Sequence, residues 1–120
     1  MDELKLGVVE SQFADLIWAN APISSGELVK LCQKQFDWKK STTYTMLKRL
    51  CERGIFKNEN GTVFTVMTKA EFGAAQSEKI IEDSFSGSLP AFIAAFASRK
   101  KLSEEDVDEI QKMIDSFREE

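Results

Sequence analysis

Hydrophobic residues in the first part of the chain recur at helical spacing, which predicts two short helices. The first runs over residues 8–19 and stops before Pro22. The second opens on Ser24, with Glu27 three residues later, the spacing of a capping box. It places Leu28, Leu31, Cys32 and Phe36 on one face and is expected to be short, ending near Gln35.

The third helical segment runs from Trp38 to Gly54 and has two faces of different chemistry. One face is apolar at spacings of three and four residues, as a buried helix face requires. Gly54 is the residue expected just past the helix end. The predicted inward-facing residues are Thr43, Met46, Leu47, Leu50 and Cys51.

A hairpin follows the third helix, because two strand-like runs flank Asn60-Gly61, a strong turn signal. Three helices followed by a hairpin is the order of a winged helix-turn-helix domain. The predicted fold is therefore mainly α with a small β-hairpin wing. We assign residues 1–68 to a winged-helix DNA-binding domain.

The remaining residues, 69–120, are predicted to form helices without a core of their own. Thr68 is a candidate cap for a helix that reaches about Asp83, and Ser103 is a candidate cap for the last helix. A segment over residues 89–97 is nearly all apolar, and the last helix has an a/d seam. The simplest partner for such faces is a second copy of the chain. The alternative is that they pack against each other in a core within one chain. The candidate dimerisation residues are Leu89, Phe92, Ile93, Phe96, Val107, Ile110, Ile114 and Phe117.

Composition narrows the function classes. The chain has no histidine, which removes the commonest general base and metal ligand. No paired-carboxylate pocket, phosphate-binding glycine loop or nucleophile–base pair is visible, so we expect neither an enzyme nor a cofactor or metal site. Cys32 and Cys51 show no metal spacing and are interpreted as buried free thiols, with a redox role as a weaker alternative. The N-terminus does not resemble a signal peptide and no apolar run could span a membrane, which favours a cytoplasmic protein without membrane insertion.

Charge is unevenly distributed along the chain, whose formal net charge is −4. Residues 38–57 hold six cations and a single acid, Glu52, whereas residues 69–120 are strongly acidic. In a winged helix the exposed face of the third helix enters the major groove, where short polar side chains contact base edges and cations hold phosphates. The candidate DNA-contacting residues are Lys39, Lys40, Ser41, Thr42, Tyr44, Thr45, Lys48 and Arg49, with Lys57 in the wing.

Several alternatives remain open from the residues alone. Arg49 either contacts DNA or pairs with Glu52 or Glu10. Tyr44 either donates a hydrogen bond to a phosphate or packs against a thymine methyl group. Trp18 and Trp38 are expected to pack in the core or at helix junctions. The whole domain is either a DNA-binding module or a winged-helix protein-interaction module that does not bind DNA.

Four stretches resemble the penicillinase-repressor family of BlaI/MecI/CopY-type winged-helix transcriptional repressors. They are Glu10–Trp18, Trp38–Leu50, Arg53–Ile55 with Val63–Val66, and Leu102–Ile110. The order and spacing of these stretches are more specific than any one of them.

The resemblance implies a homodimeric repressor of inverted-repeat operators, with Thr42 and Tyr44 at base-reading positions and Ser41 and Lys48 beside them. It implies control of antibiotic-resistance or related genes, and, in beta-lactam-responsive members, relief by a membrane sensor-protease system. The matching cleavage site is the Ala95–Phe96 bond, where the family pattern has Asn at the position of Ala95. Copper-responsive members carry CxC pairs near the C-terminus, which this chain does not have.

Overall fold

The computed structural model describes residues 5–118 and confirms the winged-helix plan followed by helices. Residues 1–4 lie outside the described residues. They belong to the N-terminal stretch that does not resemble a signal peptide. The elements in chain order are α1 (Val8–Asn20), β1 (Ile23–Ser24), α2 (Ser25–Phe36), α3 (Lys40–Glu52), β2 (Phe56–Glu59), β3 (Thr62–Thr65), α4 (Lys69–Phe85), α5 (Leu89–Arg99) and α6 (Glu104–Arg118).

Side-chain caps define where several helices begin. The Ser24 hydroxyl accepts a hydrogen bond from the Glu27 N–H (3.1 Å), which confirms the cap predicted for α2. Thr68 and Glu71 form a complete capping box at α4, with reciprocal bonds of 2.9 and 3.0 Å. The Ser103 hydroxyl caps α6 by accepting from the Asp106 N–H (3.0 Å). The starts of these three helices were therefore predictable from local sequence.

The wing contains one strand more than the sequence predicted. Asn60 (φ 51°) and Gly61 (φ 85°) both adopt positive φ, as a tight two-residue hairpin turn requires. The extra strand, β1, pairs antiparallel with β3, so the sheet order is β1-β3-β2. The backbone N–H of Ser25 then donates to the Gly61 carbonyl (2.8 Å). The wing is thereby attached to the beginning of α2.

The core is formed by the three helices and the wing. Phe13 and Ile17 of α1, Leu28 of α2, Leu50 of α3 and Val63 of β3 are fully buried. Their burial is the main source of stability, because each large apolar side chain removed from water contributes about 1.5–3 kcal/mol. This core fixes the orientation of α3 against the other elements.

Both tryptophans pack where the sequence predicted. Trp38 packs against Phe13 (ring centroids 5.3 Å apart) and Phe36 (4.8 Å), immediately before α3. Trp18 contacts Phe56 and Phe72, and its Nε1–H donates to the Met67 carbonyl (2.9 Å).

The chain separates into two compact units, with the division between Glu78 and Lys79 inside α4. The beginning of α4 belongs with the first unit because Phe72 is buried in its core. The assignment of DNA binding to residues 1–68 and of dimerisation to residues 69–120 is a functional division and stays a prediction.

The second unit leaves most of its large apolar side chains exposed. α5 and α6 contain no buried residue. Within this unit Phe85 and Phe92 meet edge to face, with ring centroids 5.5 Å apart. None of the helices within residues 5–118 is long and apolar enough to cross a membrane.

Candidate nucleic-acid interface

The position of α3 is set by its buried face. Thr43, Leu47 and Leu50 are buried, and Met46 and Cys51 are partly buried against the same core. This confirms the inward-facing stripe. The opposite face is exposed at every predicted contact position on the helix, from Lys40 and Ser41 to Arg49.

Four cations lie on or just before this exposed face and form no salt bridge within residues 5–118. Salt bridges instead occupy cations elsewhere in the first unit, such as Lys30 with Glu27 (3.5 Å) and Lys69 with Asp15 (2.9 Å). The unpaired cations are Lys39, Lys40, Lys48 and Arg49.

The other two cations of residues 38–57, Arg53 and Lys57, each form a salt bridge. Arg53 lies 3.3 Å from Glu10, and its Nη1 also donates to the Lys5 carbonyl (3.1 Å). The sequence left open a pairing of Arg49 with Glu10, but it is Arg53 that occupies this carboxylate. The Arg49 Nη1 donates to the Met46 sulfur (3.8 Å), and Arg49 is an exposed residue.

Lys57 remains exposed in the wing, but its ammonium group already interacts with other side chains of the wing. Its Nζ lies 2.8 Å from Glu59 and 5.5 Å from the centre of the Phe64 ring. Residues two apart on a strand point to the same side, so the sequence contained the signal for this pair. Lys57 is therefore a weaker source of positive potential than the lysines of α3.

The hydroxyl groups on α3 differ in their availability. The Thr45 hydroxyl donates to the Ser41 carbonyl within the helix (2.9 Å). The Tyr44 hydroxyl donates to the Ser25 hydroxyl of α2 (3.1 Å), a contact that sequence reasoning did not find. Thr42 is exposed.

A groove of about 370 Å³ runs between α3 and the wing. It is lined by Tyr44, Leu47, Lys48, Cys51 and Asn58. Asn58 also shapes the wing turn, because its side-chain carbonyl accepts from the Gly61 N–H (3.1 Å). The partial exposure of Cys51 in this groove was not evident from its position on the apolar stripe.

The surroundings of the two thiols disfavour the thiolate form. Burial raises the pKa of the Cys32 thiol, with a smaller opposing effect from the Thr43 hydroxyl. Burial also raises the pKa of Cys51, although the Asn58 backbone offsets part of the effect. Both cysteines are free, and residues 5–118 hold no group of three or more acidic or cysteine side chains placed to bind a metal ion.

Comparison with known proteins agrees with this geometry. The model of the penicillinase repressor family matches residues 6–116. The methicillin resistance regulatory protein MecI of Staphylococcus aureus strain Mu50 is 20% identical over 114 residues, which cover 92% of this chain and 93% of that protein. The penicillinase repressor of S. aureus is 19% identical over 119 residues, covering 96% and 94%. An uncharacterized 16.5 kDa protein from Latilactobacillus sakei is 27% identical over 105 residues, covering 82% and 70%.

The family match spans both the winged-helix elements and nearly all of α6, so it includes the exposed face of α3 and the apolar faces of the C-terminal helices. The chain belongs to the penicillinase repressor family and is a transcriptional repressor, not an enzyme.

Proposed function

We propose that the protein represses transcription as a homodimer that binds double-stranded DNA at inverted-repeat operators, with α3 as the recognition helix. The observation that carries the proposal is the exposed face of α3. It combines hydroxyl side chains with four cations that have no acidic partner within residues 5–118. Phosphates are the natural partners of such a surface.

The beginning of α3 supports this role because its local chemistry is unfavourable in the free protein. Lys39 occupies the N-cap position without a capping side-chain bond, and the first turn has no acidic residue. Cations near the positive end of a helix dipole typically cost about 0.3–1 kcal/mol each. A DNA phosphate near Lys39 and Lys40 would reverse this cost, because helix N-termini and lysines both bind anions.

We assign anchoring and reading roles along the helix. Lys39, Lys40, Lys48 and Arg49 hold phosphates, and Lys57 adds a weaker contact from the wing. Ser41 and Thr42 face base edges, where hydroxyl groups serve as donors or acceptors. The Thr45 hydroxyl proton is used inside the helix, so Thr45 contributes its methyl group and its oxygen lone pairs.

The second copy of the chain would cover the apolar faces of α5 and α6. Ile93 of α5 is 37% exposed, and Ile110, Ile114 and Phe117 of α6 are 37%, 43% and 64% exposed. Faces of this kind are costly in water and typical of subunit interfaces. A two-fold dimer would present two α3 helices to successive major grooves, with half-sites about one helical turn of 34 Å, or a multiple of it, apart.

Relief of repression is proposed from the family resemblance and the relatives' names. The protein would act in the cytoplasm on antibiotic-resistance or related genes, and a membrane sensor-protease system would release the DNA. Ala95 and Phe96 lie within α5, with Phe96 46% exposed. Cleavage between them would divide α5 and separate Phe96 and the whole of α6 from the winged-helix unit.

Fluorescence-anisotropy titration against the DNA upstream of the protein's own gene tests the proposal. A random duplex of equal length is the control, and both are titrated at two salt concentrations. We expect preference for the upstream DNA and a steep loss of affinity with salt, on the order of 10³-fold between about 50 and 200 mM. Weak, equal binding to both duplexes would contradict DNA recognition and favour a protein-interaction module.

A further inference from the structure

The Tyr44 hydroxyl is engaged within the protein, on the surface proposed to contact DNA. It donates to the Ser25 hydroxyl over 3.1 Å, while 36% of the Tyr44 residue remains exposed. A tyrosine has only one hydroxyl proton to donate. What Tyr44 leaves available to a ligand is therefore mainly its ring.

The position of Ser25 is set by a hydrogen bond of its own backbone. It is the first residue of α2, and its N–H donates to the Gly61 carbonyl of the wing turn (2.8 Å). The preceding residue, Ser24, pairs with Thr62 of β3 and caps α2. The acceptor for Tyr44 is thus held in a frame made by α2 and the wing.

The Tyr44 ring is also constrained from α3 itself. The Lys40 ammonium lies 5.9 Å from the ring centroid, within the range of a cation–π contact. Tyr44 lines the groove between α3 and the wing beside Lys48 and Asn58. An aromatic surface is therefore presented at a fixed position among groups that suit a DNA backbone.

This arrangement favours one of the two roles open to Tyr44. DNA phosphates are hydrogen-bond acceptors, so a phosphate contact would require the tyrosine proton to leave Ser25. The ring carbons, by contrast, can pack against the thymine C5-methyl group, the apolar feature of the major groove. We propose that Ser25 is a positioning residue that holds Tyr44 as a reader of a thymine methyl group. This inference rests on the proposed function.

Single-methyl deletion in the DNA tests the proposal. The full-length protein is used to select its preferred duplex from a random pool, and each thymine is then replaced singly by deoxyuridine. Loss of one buried methyl group should weaken binding about fourfold at one position in each half-site. Tyr44→Ala should abolish this difference between thymine and deoxyuridine.

Variants of the pair then test Ser25. Ser25→Ala leaves the Ser24 cap and the Ser25 backbone bond in place, so circular dichroism should remain unchanged. Ser25→Ala and Tyr44→Phe should reduce the thymine preference to the same extent, their combination should be no worse than either alone, and Ser25→Thr should retain it.

The outcomes separate the two proposals. A selected sequence that shows no deoxyuridine effect overturns this inference and leaves sequence-specific repression standing. An effect that survives in Ser25→Ala overturns the role of Ser25. Uniform weakening of all duplexes by Tyr44→Phe, without a thymine effect, would assign the hydroxyl to a phosphate. Failure to select any sequence would overturn both proposals.

Discussion

Arg53 at the end of α3 places its Nη1 3.3 Å from Oε2 of Glu10 in the first turn of α1. Both side chains are largely buried, with 20% and 17% of their surfaces exposed. The pair joins the beginning of one core helix to the end of another. Arg53 is therefore a structural residue, whereas Arg49, one turn earlier, is exposed.

The two arginines should consequently give opposite phenotypes. Arg53→Ala leaves the Glu10 carboxylate without its partner and should lower the free energy of unfolding by roughly 1–3 kcal/mol. Arg49→Ala should change it by less than about 0.5 kcal/mol, since its side chain is exposed. Urea denaturation and duplex titration of both variants provide the measurements. Equal effects of the two substitutions in both assays would refute the division of roles.

Lys39→Asp should stabilise the free protein and weaken its DNA binding. Aspartate at this N-cap position can accept a backbone N–H bond and suits the helix dipole, which is worth about 1 kcal/mol. The same change puts a negative charge where we expect a phosphate. Thermal denaturation and anisotropy titration check the two effects. Lys39→Ala is the matched control, which should lose affinity without gaining stability.

Lys48→Ala and Thr42→Ala should separate anchoring from reading. Removing Lys48 should weaken all duplexes by roughly 1 kcal/mol and reduce the salt slope by about one ion per protomer. Removing the Thr42 hydroxyl should weaken the preferred duplex and spare random DNA. Titrations of both duplexes at several salt concentrations distinguish these patterns, with Lys30→Ala as a control because Lys30 already pairs with Glu27. Identical behaviour of the two variants would show that the assignment is wrong.

Ile114→Glu should dissociate the proposed dimer. It places a charge in the apolar seam of α6, and loss of the second half-site contact should reduce operator affinity by a factor of at least about 10². Lys112→Glu introduces the same side chain on the far side of the helix and should leave a dimer. Sedimentation equilibrium gives the oligomeric state. A monomeric wild-type protein, or a dimeric Ile114→Glu variant, would count against this interface.

The buried Cys32 thiol and the partly buried Cys51 thiol predict a loss of stability at alkaline pH. Burial raises the pKa of Cys32 and Cys51 above the ordinary value of a cysteine thiol, so the folded protein retains thiol protons that the unfolded chain releases. The free energy of unfolding should therefore fall as the pH rises above the unfolded-state pKa. Urea midpoints at about pH 7 and about pH 10 should differ more for the wild type than for Cys32→Ala. The same pH response in both proteins would exclude this thiol as a cause.

Local sequence was sufficient for most of the secondary structure. The caps at Ser24, Thr68 and Ser103 depend on residues three apart, and the Asn60-Gly61 turn depends on two adjacent residues with positive φ. The inward stripe of α3 follows from helical periodicity. Such features need no knowledge of the rest of the fold, because their partners are neighbours in the chain.

The sequence determined the fold class, the basic exposed face of α3 and the exposed apolar faces of the C-terminal helices, since each depends on a periodic pattern. The tertiary structure decided which cations of residues 38–57 have no acidic partner within residues 5–118. Arg49 and Arg53 are equivalent by periodicity, and only the turn after α3 brings Arg53 to Glu10, 43 residues away in sequence. The two-residue β1 is too short for a pattern of its own, and Tyr44 meets Ser25 only because the core sets α3 against α2. These contacts join distant segments, so they follow from packing geometry and not from local residue order.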